Sequence, residues 1–189
     1  MRETVMSLAV ALFLLGPSHN LQAASLAGVN LPDSAEVGGK LLVLNGLGLR
    51  SESMVKVYVA GLYLEQKSSD PSVIIQGKGP KQLVMQFLHD ASKKQMAIAF
   101  AESFSENAPD AEATMKGDIY RFLGELEPVK AGDQMVFTYD PAMGATLAIN
   151  GKEKLTVAGQ AFSQVLFSVW LGPKPPTANL KKGILGHQS

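Results

Sequence analysis

Hydrophobic positions along this chain recur with period two, then with a period near three and a half, then with period two again. Lys40-Leu-Leu-Val-Leu-Asn45 predicts a strand, and Gly46-Leu-Gly48 predicts a bend that ends it. A longer strand follows over Met54 to Glu65, rich in Val and Tyr. Val55, Val57 and Val59 fall on one face, and Met54, Lys56, Tyr58 and Ala60 on the other. Gly61 is placed to kink or bulge it before Leu62-Tyr63-Leu64, and Gln82 to Phe87 is a further short strand.

Ser92, with Gln95 three residues later, fits a capping box that opens a helix carrying Met96, Ala99, Phe100 and Phe104 on one stripe; Pro109 stops it. Met115, Ile119, Phe122, Leu123 and Leu126 mark one face of a second helix ending before Pro128. Strands return over Gln134 to Tyr139 and Gly144 to Ile149, joined by Asp140-Pro-Ala-Met143. Asn150-Gly151 is then a type I′ hairpin signal into Lys154 to Val157. A last long helix holds Phe162, Val165, Leu166, Val169 and Trp170 and ends at Gly172-Pro173. Beyond the stiff Pro175-Pro176 loop, Leu180 to Leu185 predicts a short terminal helix. Strands, two helices, a three-strand meander and a closing helix describe an α+β domain. An antiparallel sheet carries helices on one face, and its other face is solvated or partly covered.

The first residues follow a different logic. Arg2 precedes the apolar run Val5 to Leu15, then come Gly16-Pro17 and a polar stretch ending in Gln22-Ala23-Ala24, the order of a secretory signal. Eleven helical residues rise about 16 Å, half of a hydrocarbon core, so a stable membrane anchor is not expected. The competing reading is a buried N-terminal helix. Residues 1–23 are therefore expected to be a signal peptide cut near Ala23 or Ala24. Residues 24–189 then form one domain, with the periplasm as its compartment if the source is Gram-negative. A chain that is 46% hydrophobic, without repeat or low-complexity linker, can fill one substantial core.

Charge and cysteine remove whole classes of partner. The 17 basic and 17 acidic residues balance, so no positive field favours nucleic acid or an anionic membrane. With Cys 0 there is no disulfide, thiolate nucleophile, Cys-type zinc site or cysteine lipidation, and cysteine usage does not report the redox compartment. His89 and His187 lack metal-ligand spacing with acidic residues, and His89-Asp90 at a strand end reads as a polar loop. Gly46-x-Gly48 and Gly77-x-Gly79 lack the third glycine and the helix of a dinucleotide site and read as turns. Neither cofactor nor metal is expected.

Two separated motifs carry a family resemblance. Asn45-Gly-Leu-Gly48-Leu-Arg50, then a strand ending Gly61-Leu-Tyr-Leu-Glu65, resembles the chalcone isomerase family, which has a Gly-x-Gly-x-Arg turn and a strand ending Gly-Val-Tyr-Leu-Glu. Asn150-Gly-Lys152, Phe162, Leu166-Phe167, Trp170-Leu-Gly172 and Leu180 to Gly186 are more similar to its bacterial exported branch, the chalcone isomerase-like proteins. The resemblance spans residues 28–186. It implies an open-faced β-sandwich, a large antiparallel sheet backed by a layer of helices with a ligand cleft between them.

Two positions carry over. Arg50 matches the arginine that polarises substrate in the plant isomerases and holds the carboxylate in related plant fatty-acid-binding proteins; its fixed fork of donors suits either task. Without the resemblance it reads as an exposed arginine after a turn. Tyr58 falls where the isomerases have a threonine that positions water, and its bulk fills that water's place, as in the fatty-acid-binding relatives. Its other reading is a cross-strand packing residue. The isomerase tyrosine and asparagine at the next helix are not matched by Ser92 to Ser103, where Gln95 or Lys94 takes the tyrosine position. The chain is therefore expected to be an exported, non-catalytic protein that binds an amphipathic carboxylate such as a fatty acid. Arg50 and Tyr58 meet its head, Gln95 lies nearby, and Met96 and Phe100 follow its tail. An isomerase or lyase using the cleft arginine, and a partner-binding envelope protein, are the alternatives.

Overall fold

The structure, a computed structural model, describes residues 23–187. The predicted signal segment, residues 1–23, lies outside them except for Ala23. Along the chain come β1 (Ala23–Leu26), β2 (Val29–Pro32), β3 (Ser34–Val37), β4 (Lys40–Glu52), β5 (Val55–Leu64), α1 (Pro71–Gln76) and β6 (Lys81–Phe87). Then follow α2 (Lys93–Asn107), α3 (Ala111–Thr114), α4 (Lys116–Glu125), β7 (Gln134–Asp140), β8 (Gly144–Ile149), β9 (Lys152–Val157), α5 (Gln160–Leu171) and α6 (Ala178–Ile184).

Strands β3 to β9 form a seven-stranded antiparallel sheet in sequence order, and β1 and β2 make a separate hairpin. The β8–β9 turn has Asn150 at φ 49 and Gly151 at φ 75, the paired left-handed residues that a type I′ turn needs. One face of the sheet, through Leu62, Leu83, Phe137 and Leu147, meets Phe100, Phe104, Phe122, Phe162 and Trp170 of the helices in a single core. The fold class is thus α+β, a large curled antiparallel sheet packed against helices, as the periodicity indicated.

The opposite face is partly covered: its polar residues Gln86, Thr138, Thr146 and Thr156 stay half-buried, whereas its apolar part is packed. There β2 lays Val29 and Leu31 on Leu42, Leu44, Val59 and Tyr63, and the Tyr63 hydroxyl donates to the Pro32 carbonyl at 2.8 Å. The hairpin and β3 carry no sequence signal, because runs of four residues show too little alternation to register, and the six residues of α1 show no helical stripe.

Two local expectations are corrected. Gly46-Leu47-Gly48 does not bend the chain out of the sheet: β4 runs unbroken for 13 residues. A Cβ on Gly46 would collide with the Gly183 carbonyl, and one on Gly48 with the Leu180 carbonyl, so these glycines admit the backbone of α6 against the sheet. The irregularity is a bulge at Asn45, whose amide donates to the carbonyls of Ile184 (2.8 Å) and Ser68 (3.0 Å) and accepts from the Ser68 N–H (2.8 Å). Likewise Gly61 keeps its register with both neighbours. The bulge in β5 lies at Val57, because Arg50 pairs with Tyr58 while Ser51 pairs with Lys56. Strict alternation fails there, and Val57 turns to the same side as Tyr58.

Among the described residues, no helix is long and apolar enough to cross a membrane.

Candidate functional site

Cross-strand pairing builds the base of a cleft. Arg50 of β4 pairs with Tyr58 of β5, which pairs with Phe87 of β6, so the three side chains form a row across the helix-facing side of the sheet. The start of α2 stands over this row and α5 brings Trp170 beside it, leaving a cleft of about 550 Å³. Arg50, Tyr58, Gln95, Met96 and Phe100 all line it.

Their situations differ. Phe100 is 6% exposed, and its ring centroid lies within 6.0 Å of those of Phe104, Phe122, Phe137 and Trp170, so it is a core residue that shows one edge to the cleft. Met96, equally buried, extends that apolar floor. Gln95 is exposed, and its carbonyl oxygen already accepts from the Ser92 N–H (2.9 Å) and hydroxyl (2.7 Å), completing the capping box; its amide hydrogens are what it offers the cleft.

Arg50 and Tyr58 supply the polar end. The Arg50 guanidinium is a quarter exposed, pairs with Glu52 at 3.1 Å and stands 5.8 Å from the Tyr58 ring centroid. The Tyr58 hydroxyl is buried and accepts from the Trp170 indole N–H at 3.2 Å. Burial pushes its pKa up to about 12, against the opposing pull of the Arg50 charge. At neutral pH it is therefore an uncharged phenol. Because its oxygen serves Trp170, its proton is the group left to donate. A fixed cation and a neutral donor stand side by side at one end of an apolar-floored cleft, an arrangement suited to a carboxylate or carbonyl oxygen.

Sequence reasoning assigned Trp170 to a helical stripe and missed its place here. Its bond to Tyr58 joins residues 112 apart in sequence, so no local pattern announces it. Phe87 was visible as strand, but its position beside Tyr58 depends on register. The mouth also carries Glu52, His89, Asp90 and Glu102. Asp90 accepts from the Ala131 N–H at 2.8 Å and so ties two loops together, as a polar loop residue should. Among the described residues, no group of three or more His, Asp or Glu could hold a metal ion.

The chain is similar to a solved structure of a fatty-acid binding protein from Arabidopsis thaliana. The TM-score is 0.67 at 14% sequence identity, covering 87% of this chain and 96% of that one, so the likeness is one of fold. No curated protein matches the sequence. The family model described as chalcone isomerase-like matches residues 23–186, from the first strand past the end of α6. The chain belongs to the chalcone isomerase-like family.

Proposed function

We propose that this protein binds an amphipathic carboxylate, a fatty acid or close analogue, without transforming it, in the cleft between the sheet and α2. One observation carries the reading: the Arg50 guanidinium and the uncharged Tyr58 hydroxyl share the polar end of a cleft floored by Met85, Phe87, Met96 and Phe100. A volume of about 550 Å³ suits a small apolar ligand with one polar head. The fold shared with the Arabidopsis fatty-acid binding protein supports the same class of cargo.

Mass spectrometry of ligand that co-purifies from the native compartment, followed by titration of fatty acids of increasing length, tests the reading. Affinity should rise about fourfold per methylene until the cleft is full, since each buried CH₂ contributes about 0.8 kcal/mol. Arg50→Ala should weaken binding about tenfold, the effect of losing one charge-assisted contact. Unchanged affinity in Arg50→Ala overturns the assignment.

We further infer export to the periplasm by a signal peptide over residues 1–23. The apolar run Val5 to Leu15 and the small residues at Ala23-Ala24 support it, and the family match begins only at residue 23. N-terminal sequencing of the periplasmic protein should find Ala24 or Ser25 first; an intact N-terminus in the cytoplasm overturns it.

A further inference from the structure

Arg50 is already occupied. Its Nη2 lies 3.1 Å from a Glu52 carboxylate oxygen, and both side chains line the cleft. Glu52 sits two residues along β4, with its side chain 71% exposed against 26% for Arg50. The acceptor can swing into water far more easily than the cation can follow. Other charges at the mouth add the same sign: Asp90 and Glu102 are carboxylates, and His89 is the remaining ionisable lining group besides Arg50 and Tyr58.

We propose that Glu52 is an internal competitor for Arg50 that sets the head-group selectivity of the cleft, exchanging one carboxylate for another when ligand binds. This rests on the amphipathic-carboxylate reading above and deepens it. A singly charged carboxylate replaces Glu52 with the same charge and the same geometry on the guanidinium fork. A doubly charged phosphate head brings extra negative charge to a mouth already lined by three carboxylates, and a neutral alcohol has nothing to exchange. The cleft therefore admits monoanionic heads.

The test measures affinities of a fatty acid, the alcohol of the same chain and the corresponding alkyl phosphate, for wild type and Glu52→Gln. Glutamine keeps the size of Glu52 and removes its charge, and at this exposed position it leaves the fold intact. Glu52→Gln should bind the fatty acid about three- to fivefold more tightly, the size of a partly exposed ion pair. It should gain at least as much for the phosphate and leave the alcohol unchanged. In an Arg50→Ala background the gain should shrink well below its size in the wild-type background, because only direct repulsion between Glu52 and the ligand is left to relieve once the guanidinium is gone. An acid affinity that does not rise, an equal gain for the alcohol, or a gain undiminished in Arg50→Ala overturns Glu52's role and leaves the binding reading standing. Wild type that binds none of the three amphipaths overturns both.

Discussion

Of the three cations that stand over aromatic rings among the described residues, Lys81 and Arg50 are held in opposite ways. Lys81, at the start of β6, is 2% exposed. Its ammonium donates to the carbonyls of Ile74 (2.9 Å) and Gly77 (2.7 Å) and lies 5.1 Å from the Tyr139 ring and 5.7 Å from the Phe167 ring. Helix α1 has no basic residue in its last turn, so Lys81 reaches back from the next strand to satisfy carbonyls the helix leaves open. Arg50 has a similar aromatic neighbour but an exposed carboxylate partner and an open cleft beside it. A cation held by backbone carbonyls in a closed interior is structure. A cation paired with an exposed carboxylate beside a cavity is, in the function proposed above, the ligand's anchor.

That contrast is broken most forcefully at Lys81. Lys81→Ala removes two hydrogen bonds and leaves a void, and should lower unfolding free energy by about 3 kcal/mol, read by urea denaturation. Ligand affinity should not move. Stability unchanged within error would show that the clasp on α1 does not hold the fold.

The same residue predicts a pH dependence. Burial lowers Lys81 from 10.5 to about 8. Between those values the folded protein has released the proton while the unfolded chain still holds it, so stability rises with pH. From pH 8 to 9.5 the wild type should gain about 1.5 kcal/mol relative to Lys81→Met, by the linkage of one such group. Denaturation series on both proteins check it, and parallel curves would refute it.

Arg50→Ala should show the complementary result: about tenfold weaker binding of a fatty acid and a stability loss below about 1 kcal/mol, as for a partly exposed ion pair. Loss of stability comparable to Lys81→Ala would make Arg50 structural and erase the distinction.

The legible and illegible parts of the molecule divide along the same physical line. Helices α2, α4 and α5 and the Asn150-Gly151 hairpin announce themselves because their determinants lie within a few residues: the Ser92–Gln95 cap, the Phe122 stripe, the turn pair. Gly46 and Gly48 misled because a glycine that admits another backbone looks, in sequence, like a glycine that turns its own. Lys81 gave no sign of burial, since its partners come from α1, β7 and α5. The cleft was half legible. Motif resemblance placed Arg50 and Tyr58 in it, whereas Phe87 entered by register and Trp170 by a contact with no local trace. The alternation assigned to β5 broke one residue short of Tyr58, at the Val57 bulge, where no glycine marks the irregularity.

Tyr58 connects the two behaviours and should respond least when altered, because it is packed like Lys81 yet faces the cleft like Arg50. Tyr58→Phe keeps the ring between Arg50 and Phe87 and deletes the hydroxyl, leaving the Trp170 N–H buried without its acceptor, at a cost of about 1 kcal/mol. Fatty-acid binding should fall only severalfold, since Arg50 remains. The distinguishing signal is alkaline. With Tyr58 and Tyr63 both raised to about 12, the stability they confer is complete below pH 10, and is lost as pH climbs toward 12, where the unfolded chain sheds protons the folded one retains. Tyr58→Phe removes one of these two contributions, so its stability should decline less steeply above pH 10 than that of wild type. An identical alkaline slope would mean that the Tyr58 hydroxyl is not buried at the polar end of the cleft, and that the place where the ligand head is proposed to rest is wetter than the structure has it.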